Sequence, residues 1–237
     1  EEHGHEEPVD DAEAEMYADF FDAELIATQR AMSSVLVNHE KRCADLLFNT
    51  STFTPTSVTN EWDDAANCTP VDDVEGRVQA IYDASGLWAN ALIINKKVFR
   101  NLRESSQVRD RIASSGAGDP TKAQDITVNM LKAVFDLDYI FVGGGTKNSA
   151  NEGQSASPAQ IWSGEYAMVA KVATGADVRE PCLGRTFHWS ADGSVAAGMI
   201  ESYRDENVRS DVIRVRHDVH QKILLTGAAA LLDNITT

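Results

Sequence analysis

Cysteine is scarce in this chain: three residues in 237, at Cys43, Cys68 and Cys182, with no Cys-x-x-Cys pair. That excludes a disulfide framework and a cysteine zinc site. Without a secretory context, the Asn-x-Ser/Thr triplets at Asn49, Asn67 and Asn234 carry little weight as glycan sites. No apolar run approaches the ~20 residues a bilayer span requires, so no membrane-spanning helix is expected. Basic residues are few: 21 Lys and Arg stand against 37 Asp and Glu, for a formal charge of -16. Such a chain has no electrostatic basis for gripping nucleic acid through its phosphates, although it could enclose it. The imbalance is concentrated, since residues 1–24 hold eleven acids and no Lys or Arg.

Catalytic signatures are missing as well. There is no Gly-x-Ser-x-Gly elbow and no His-Glu-x-x-His helix. Gly143-Gly144-Gly145-Thr146-Lys147 lacks the spacing of a phosphate loop, and nothing helical is expected after Lys147. His3 and His5, among Glu1, Glu2, Glu6 and Glu7, offer metal donors, but in a segment that reads as flexible. His217 and His220 fall on opposite faces of an expected strand, which makes them poor partners for one ion. No cofactor, no metal and no catalytic residue are assigned. Cys43 reads as a small buried residue, and Trp88, Trp162 and Trp189 as core or interface anchors. Trp62 stands in a polar loop where exposure would point to a contact role.

The chain does carry 43% hydrophobic and 24% charged residues, the balance of one large soluble domain or two intimate ones. Its first element is expected to be one continuous helix over about residues 11–48. Asp10 with Glu13 makes a capping pair, and the stripe runs Tyr17, Phe21, Leu25, Thr28, Met32, Leu36, His39, Cys43, Leu46. Acids at its start and Lys41 and Arg42 near its end complement the helix dipole. A rod of that length exceeds its own domain, so part of it should pack on another element or another chain.

After a Thr-, Ser- and Asn-rich loop over 49–60, Thr69 and Pro70 start a second helix that Ser85-Gly86 ends. A buried strand is expected at Ala91–Ile94, then a short helix carrying Val98, Phe99 and Leu102, and a turn over Ser114–Gly118. Asp119-Pro120 opens a helix to Phe135, before a strand at Tyr139–Val142. Strand, helix, strand implies an α/β layer. From Ile161 the character turns to β. Over Ser210–His220, Ile213, Val215 and Val219 point one way and Arg214, Arg216 and Asp218 the other. The apolar Ile223–Leu232 stretch should return to the α/β layer.

Over nearly the whole chain the sequence resembles the major capsid proteins of tailed bacteriophages. The residues that carry this are Glu40-Lys41-Arg42-Cys43-Ala44-Asp45-Leu46-Leu47-Phe48-Asn49 and Asn90-Ala91-Leu92-Ile93-Ile94 with Val98-Phe99 and Leu102. Val108 and Arg111-Ile112 follow, and then the helix-to-strand step Phe135-Asp136-Leu137-Asp138-Tyr139-Ile140-Phe141-Val142-Gly143. Asn148, Ala150-Asn151-Glu152-Gly153, Ile161-Trp162, Pro181, Gly184, Thr186-Phe187 and Trp189 continue in the family's order.

The resemblance implies an α+β fold, with a spine helix and a β element in a peripheral domain and an axial domain with a mixed sheet flanked by helices. Residues 1–10 would be the returning end of an extended loop, 11–69 the peripheral domain with its spine helix and 70–182 the axial domain. Residues 183–220 would supply peripheral strands, and 221–237 would return to the axial domain. Some relatives cross-link subunits through a loop Lys, but residues 1–40 here contain no Lys.

The implied role is a non-enzymatic virion subunit, assembled in the host cytoplasm, that joins copies of itself as pentamers and hexamers around double-stranded DNA. Decoration, portal and scaffolding proteins are further partners that the resemblance allows. The residues expected at subunit contacts are Glu13, Glu15, Asp19, Arg30, Trp62, Arg204, Arg209, Arg214 and Arg216. The competing readings are a nanocompartment shell of related fold and an α/β enzyme or ligand binder using the Gly143–Lys147 turn.

Overall fold

The computed structural model describes residues 1–114, 125–151, 153–191 and 195–236. The turn expected as far as Gly118, the helix start expected at Asp119-Pro120, and Glu152 of the family-like run lie outside these. The chain divides into two compact units, Glu1–Cys43 with Thr186–Lys222 and Ala44–Arg185 with Ile223–Thr237.

The first unit is organised by its longest strand, β10 (Ser210–Ile223). Strand β1 (Glu2–Asp10) pairs with it antiparallel from Glu2 opposite Asp218 to Asp10 opposite Ser210. Strand β9 (Met199–Asp205) also pairs with it antiparallel, and β8 (Gly184–His188) belongs to the same sheet. The expected alternation holds: Ile213, Val215 and Val219 are buried, whereas Arg214, Arg216 and Asp218 are half-exposed. The acidic start is not the flexible segment its composition suggests. Nine residues in register with β10 hold it as an edge strand, which fixes His3 and His5 in extended backbone.

The single helix expected over residues 11–48 is two helices, α1 (Asp11–Tyr17) and α2 (Ala23–Leu47). Asp10 does cap the first, its side chain accepting from Ala12 N at 2.7 Å. The break has its own cap. Asp22 Oδ1 accepts from Leu25 N at 3.1 Å, so a second helix starts where the sequence stripe runs on unbroken. At about 1.5 Å per residue α2 is ~37 Å long.

The buried face of α2 is also not the one read from the stripe. Ala27, Ala31 and Val35, four residues apart, pack on Val9, Ile213 and Val215 of the sheet. These small side chains let the helix lie close to the strands. The larger residues of the stripe, Phe21, Leu25 and Leu36, are exposed.

The second unit holds a five-stranded mixed sheet in the order β2-β11-β7-β3-β4. Its strands are β2 (Thr56–Ser57), β3 (Ala91–Asn95), β4 (Tyr139–Gly143), β7 (Ala167–Ala170) and β11 (Ala229–Asp233). Strands β5 (Thr146–Asn148) and β6 (Pro158–Gln160) form a separate hairpin. Helix α3 (Pro70–Ser85) has Pro at its start and ends on Gly86 in the left-handed region, φ 70°, as Pro70 and Gly86 predict, whereas the Thr69 side chain makes no cap hydrogen bond.

Helices α4 (Lys96–Glu104), α5 (Ser106–Ser114) and α6 (Val128–Phe135) fall between the parallel strands β3 and β4, so the expected α/β layer is present. Thr127 caps α6, and Ile126 is buried just ahead of it. All five residues of β3 are buried because both faces of the sheet are covered. Leu92 and Ile94 enter the core that includes Val74, Ile81, Leu102 and Leu131. Ile93 enters the other, with Phe53, Met168 and Leu231. The apolar C-terminal stretch returns to this sheet as β11, as expected.

The Gly143–Lys147 turn connects β4 to β5, and no helix N-terminus follows it that could hold a phosphate. Its first glycine has a packing role. A Cβ on Gly143 would lie 2.2 Å from Trp162 Cδ1. Gly143→Ala is therefore expected to destabilise the unit by about 1–3 kcal/mol, read as a shifted urea midpoint, because the indole must move.

Candidate subunit-contact surface

Of the residues expected at subunit contacts, Glu13, Glu15, Asp19, Arg30, Arg204 and Arg209 are exposed. Trp62 is not: it has no accessible surface and belongs to the core. Its backbone N–H donates to Ile235 O at 2.7 Å and its indole N–H to Asp73 Oδ2 at 2.9 Å. The polar sequence around it misled because the loop wraps onto the unit's own C-terminal segment. Trp88 and Trp189, read as core or interface anchors, are 56% and 65% exposed and so are not core. Trp88 stacks on Tyr82, with ring centroids 4.6 Å apart.

The arginines of the β face pair within the chain. Arg204 grips Asp11 with both terminal nitrogens, at 2.5 and 2.6 Å, and lies 3.4 Å from Asp211. Arg214 Nε donates to Glu6 Oε1 at 2.6 Å while its guanidinium covers the Tyr203 ring at 5.1 Å. Arg216 holds Glu201 through Nε and Nη2, at 3.1 and 2.9 Å. The strand register sets this pattern, since it brings Glu6 opposite Arg214. Arg209 adopts a positive φ of 50°, and its carbonyl accepts from Asp11 N at 3.3 Å. The Arg204–Asp11 pair sits in solvent, so Arg204→Ala is expected to cost little stability, and wild type and variant should melt together in 1 M salt.

Around the start of α2, Glu13, Phe21, Ile26 and Arg30 line one small pocket of about 90 Å³. Farther along the helix a shallow apolar groove of about 500 Å³ is lined by Thr28, Met32, Leu36 and Val37 among others. Leu25 and Leu36, 55% and 45% exposed, continue this outer stripe. Together they give α2 two apolar faces, one spent on its own sheet and one turned to solvent.

A cluster that sequence reading missed lies inside the first unit. His217 is fully buried on β10; its Nδ1–H donates to Ala196 O at 3.1 Å and its Nε2 faces Arg42 Nη2 at 3.3 Å. The His39 ring lies 5.7 Å from it and the His3 ring 6.0 Å. His39 Nδ1 also meets Gln221 Nε2 at 2.7 Å, and Cys43 Sγ lies 3.7 Å from His39 Nε2. Burial, and then the Arg42 charge, lower the pKa of His3 and His39. For His217, burial leads and the hydrogen bond to Ala196 opposes it. Burial also pushes the Cys43 thiol up, which argues against a nucleophile. The i, i+4 spacing of His39 and Cys43 is visible in sequence, but only the register puts His3 opposite His217. Among the described residues no group of three or more His, Cys, Asp or Glu is arranged to hold a metal ion.

The resemblance read from the sequence has independent counterparts. No family model matches the chain. The major capsid protein of Burkholderia phage BcepMu is 29% identical over 148 residues, 60% of this chain and 45% of that protein, so the match spans less than half of the relative. Among solved structures, a phage-related protein from Bordetella bronchiseptica RB50 superposes with a TM-score of 0.72 at 20% identity, covering 99% of this chain and 75% of its own. The capsid of Myoviridae phage XM1 does so with a TM-score of 0.57 at 9% identity, covering 98% and 72%. The chain has the fold of tailed-phage major capsid proteins, the α+β architecture that its sequence resemblance implies.

Proposed function

We propose that this chain is the structural subunit of a tailed-phage head, self-assembling as pentamers and hexamers into an icosahedral shell around double-stranded DNA. The observation that carries this is the two-faced α2 helix. One face is covered by its own sheet, and the other leaves Leu25, Leu36 and an apolar groove for a neighbour. The fold and the capsid relative support the same reading. The unit built on α2 and β10 would be the peripheral domain and the unit of the mixed sheet the axial domain.

A shell needs many modest contacts acting together and no active site. A net charge of -16 suits a wall that contains DNA without pinning it. The location would be the virion, with portal, scaffolding and decoration proteins as transient or added partners.

The test is electron microscopy of the purified protein or native particle, with nucleic-acid content read from the absorbance ratio of the same sample. Closed, uniform shells containing DNA are the expected result. Shells that hold a co-purifying protein and no DNA would turn the reading to a nanocompartment. A monomer that melts higher with nucleotide would turn it to a ligand binder.

A further inference from the structure

Helix α1 has little core of its own: Ala14 is its contact with the Val9, Ala27 and Ile213 cluster. None of its seven residues is buried, although it carries Met16, 63% exposed, and leads into Phe20, 82% exposed. A helix of two turns that buries no residue fully is marginal on its own. The stretch 11–24 around it holds six acids and no Lys or Arg. Among these, Glu13 and Glu15 are exposed on the helix itself.

Its complement is on the second unit. Helix α4 buries Val98 and Leu102, and on the opposite side Lys96, Arg100 and Arg103 recur at four and three residues. Residues 96–111 hold six of the chain's 21 cations and only two acids. Lys96 and Arg100 are exposed, and Arg103 lies over the Phe99 ring at 5.4 Å. The stripe from Lys96 to Arg103 is ~10 Å long, the length of α1.

We infer that α1 and the following turn of one subunit dock on the α4 face of a second copy of this chain. Glu13 and Glu15 pair with Lys96 and Arg100, and the exposed Phe20 ring covers a guanidinium. Arginine suits both halves of that contact, because it accepts a carboxylate at its edge and an aromatic ring on its face. The two patches are different surfaces, so the contact runs head to tail, the geometry that closes rings of five or six. This contact rests on the shell-subunit reading and names one interface within it.

The test compares particle yield for the full chain, for Lys96→Glu with Arg100→Glu, for Glu13→Lys with Glu15→Lys, and for all four changes together. All four side chains involved are exposed, and unchanged melting confirms folding. Each pair alone should lower the yield about tenfold or more, and the combination should restore most of it, because opposite charges again face each other.

Carbodiimide coupling of a mixed isotopic sample should join Glu13 or Glu15 of one copy to Lys96 or Lys97 of another. Normal wild-type shells with both pairs of changes harmless and no such coupling would overturn the contact and leave the shell reading standing. Variants of α4 that assemble normally but lose enclosed DNA would place the stripe against nucleic acid and also overturn it. A wild-type chain that forms neither shells nor coupled oligomers at any salt concentration would sink both.

Discussion

Trp62→Ala is expected to remove about 3–5 kcal/mol of stability, the range for deleting a large buried aromatic. The indole has no accessible surface and packs in the core that α3, the mixed sheet and the C-terminal segment share. Its loss also strands Asp73. Burial already raises the Asp73 carboxyl, and the hydrogen bond from Trp62 opposes that shift. Without the donor, a half-buried acid loses a partner, which adds to the cavity left behind.

Domains of this kind have only about 5–15 kcal/mol in reserve, so the variant should show a much lower urea midpoint. Trp62→Phe fills most of the space but cannot donate, and should lose about 1–3 kcal/mol. A Trp62→Ala chain that unfolded like wild type but failed to assemble would show instead that this residue acts at a subunit contact.

The second large effect is on acidification. His217 is buried, with Arg42 and His39 facing it from α2, His3 from β1 and His188 from β8; Asp218 is beside it on its own strand. The folded pKa is lowered below the ordinary 6.5, first by burial, so the unfolded chain binds the proton more readily. Stability is therefore fully present above pH 6.5 and is lost as the pH falls below it toward the folded value.

Each extra proton taken up by the unfolded chain costs about 1.4 kcal/mol per pH unit. His3 and His39 are lowered in the same direction, so the slope should exceed that of one group. Melting temperature measured from pH 8 to pH 5 should fall steeply. His217→Gln keeps a donor and an acceptor without a titrating ring, and should flatten the curve by about one proton. An unchanged slope would mean that the cluster does not control acid stability.

Particular elements show where sequence reading succeeds. Strand β10 was legible because a two-residue period with Val and Ile on one side and Arg and Asp on the other admits one backbone geometry. The boundaries of α3 were legible because Thr69-Pro70 and Gly86 act through local backbone preferences. The spine helix was half legible. Its cap at Asp10 is local, but a second local cap at Asp22 competes with an unbroken stripe, and the periodicity alone could not decide between them.

The candidate contact residues were less legible. Arg214 and Arg216 are on an outward strand face in both sequence and structure, and Arg204 is exposed on β9, yet their acidic partners come from residues about two hundred positions away or from the adjacent strand. Trp62 looked exposed because its neighbours in sequence are polar, whereas burial depends on its neighbours in space.

What the sequence determined on its own is what depends on short separations: charge, period, caps, and an ordered set of apolar segments that resembles phage capsid proteins. These follow from composition and from torsional preferences a few residues long. The tertiary structure alone decided which face of α2 meets its sheet, that Trp62 is core, and that His3, His39, His217 and Arg42 meet. Those outcomes depend on strand register and on volume matching between distant segments. Ala27, Ala31 and Val35 reach the sheet because they are small enough to let the helix approach, and the larger Leu25 and Leu36 are left on the outside.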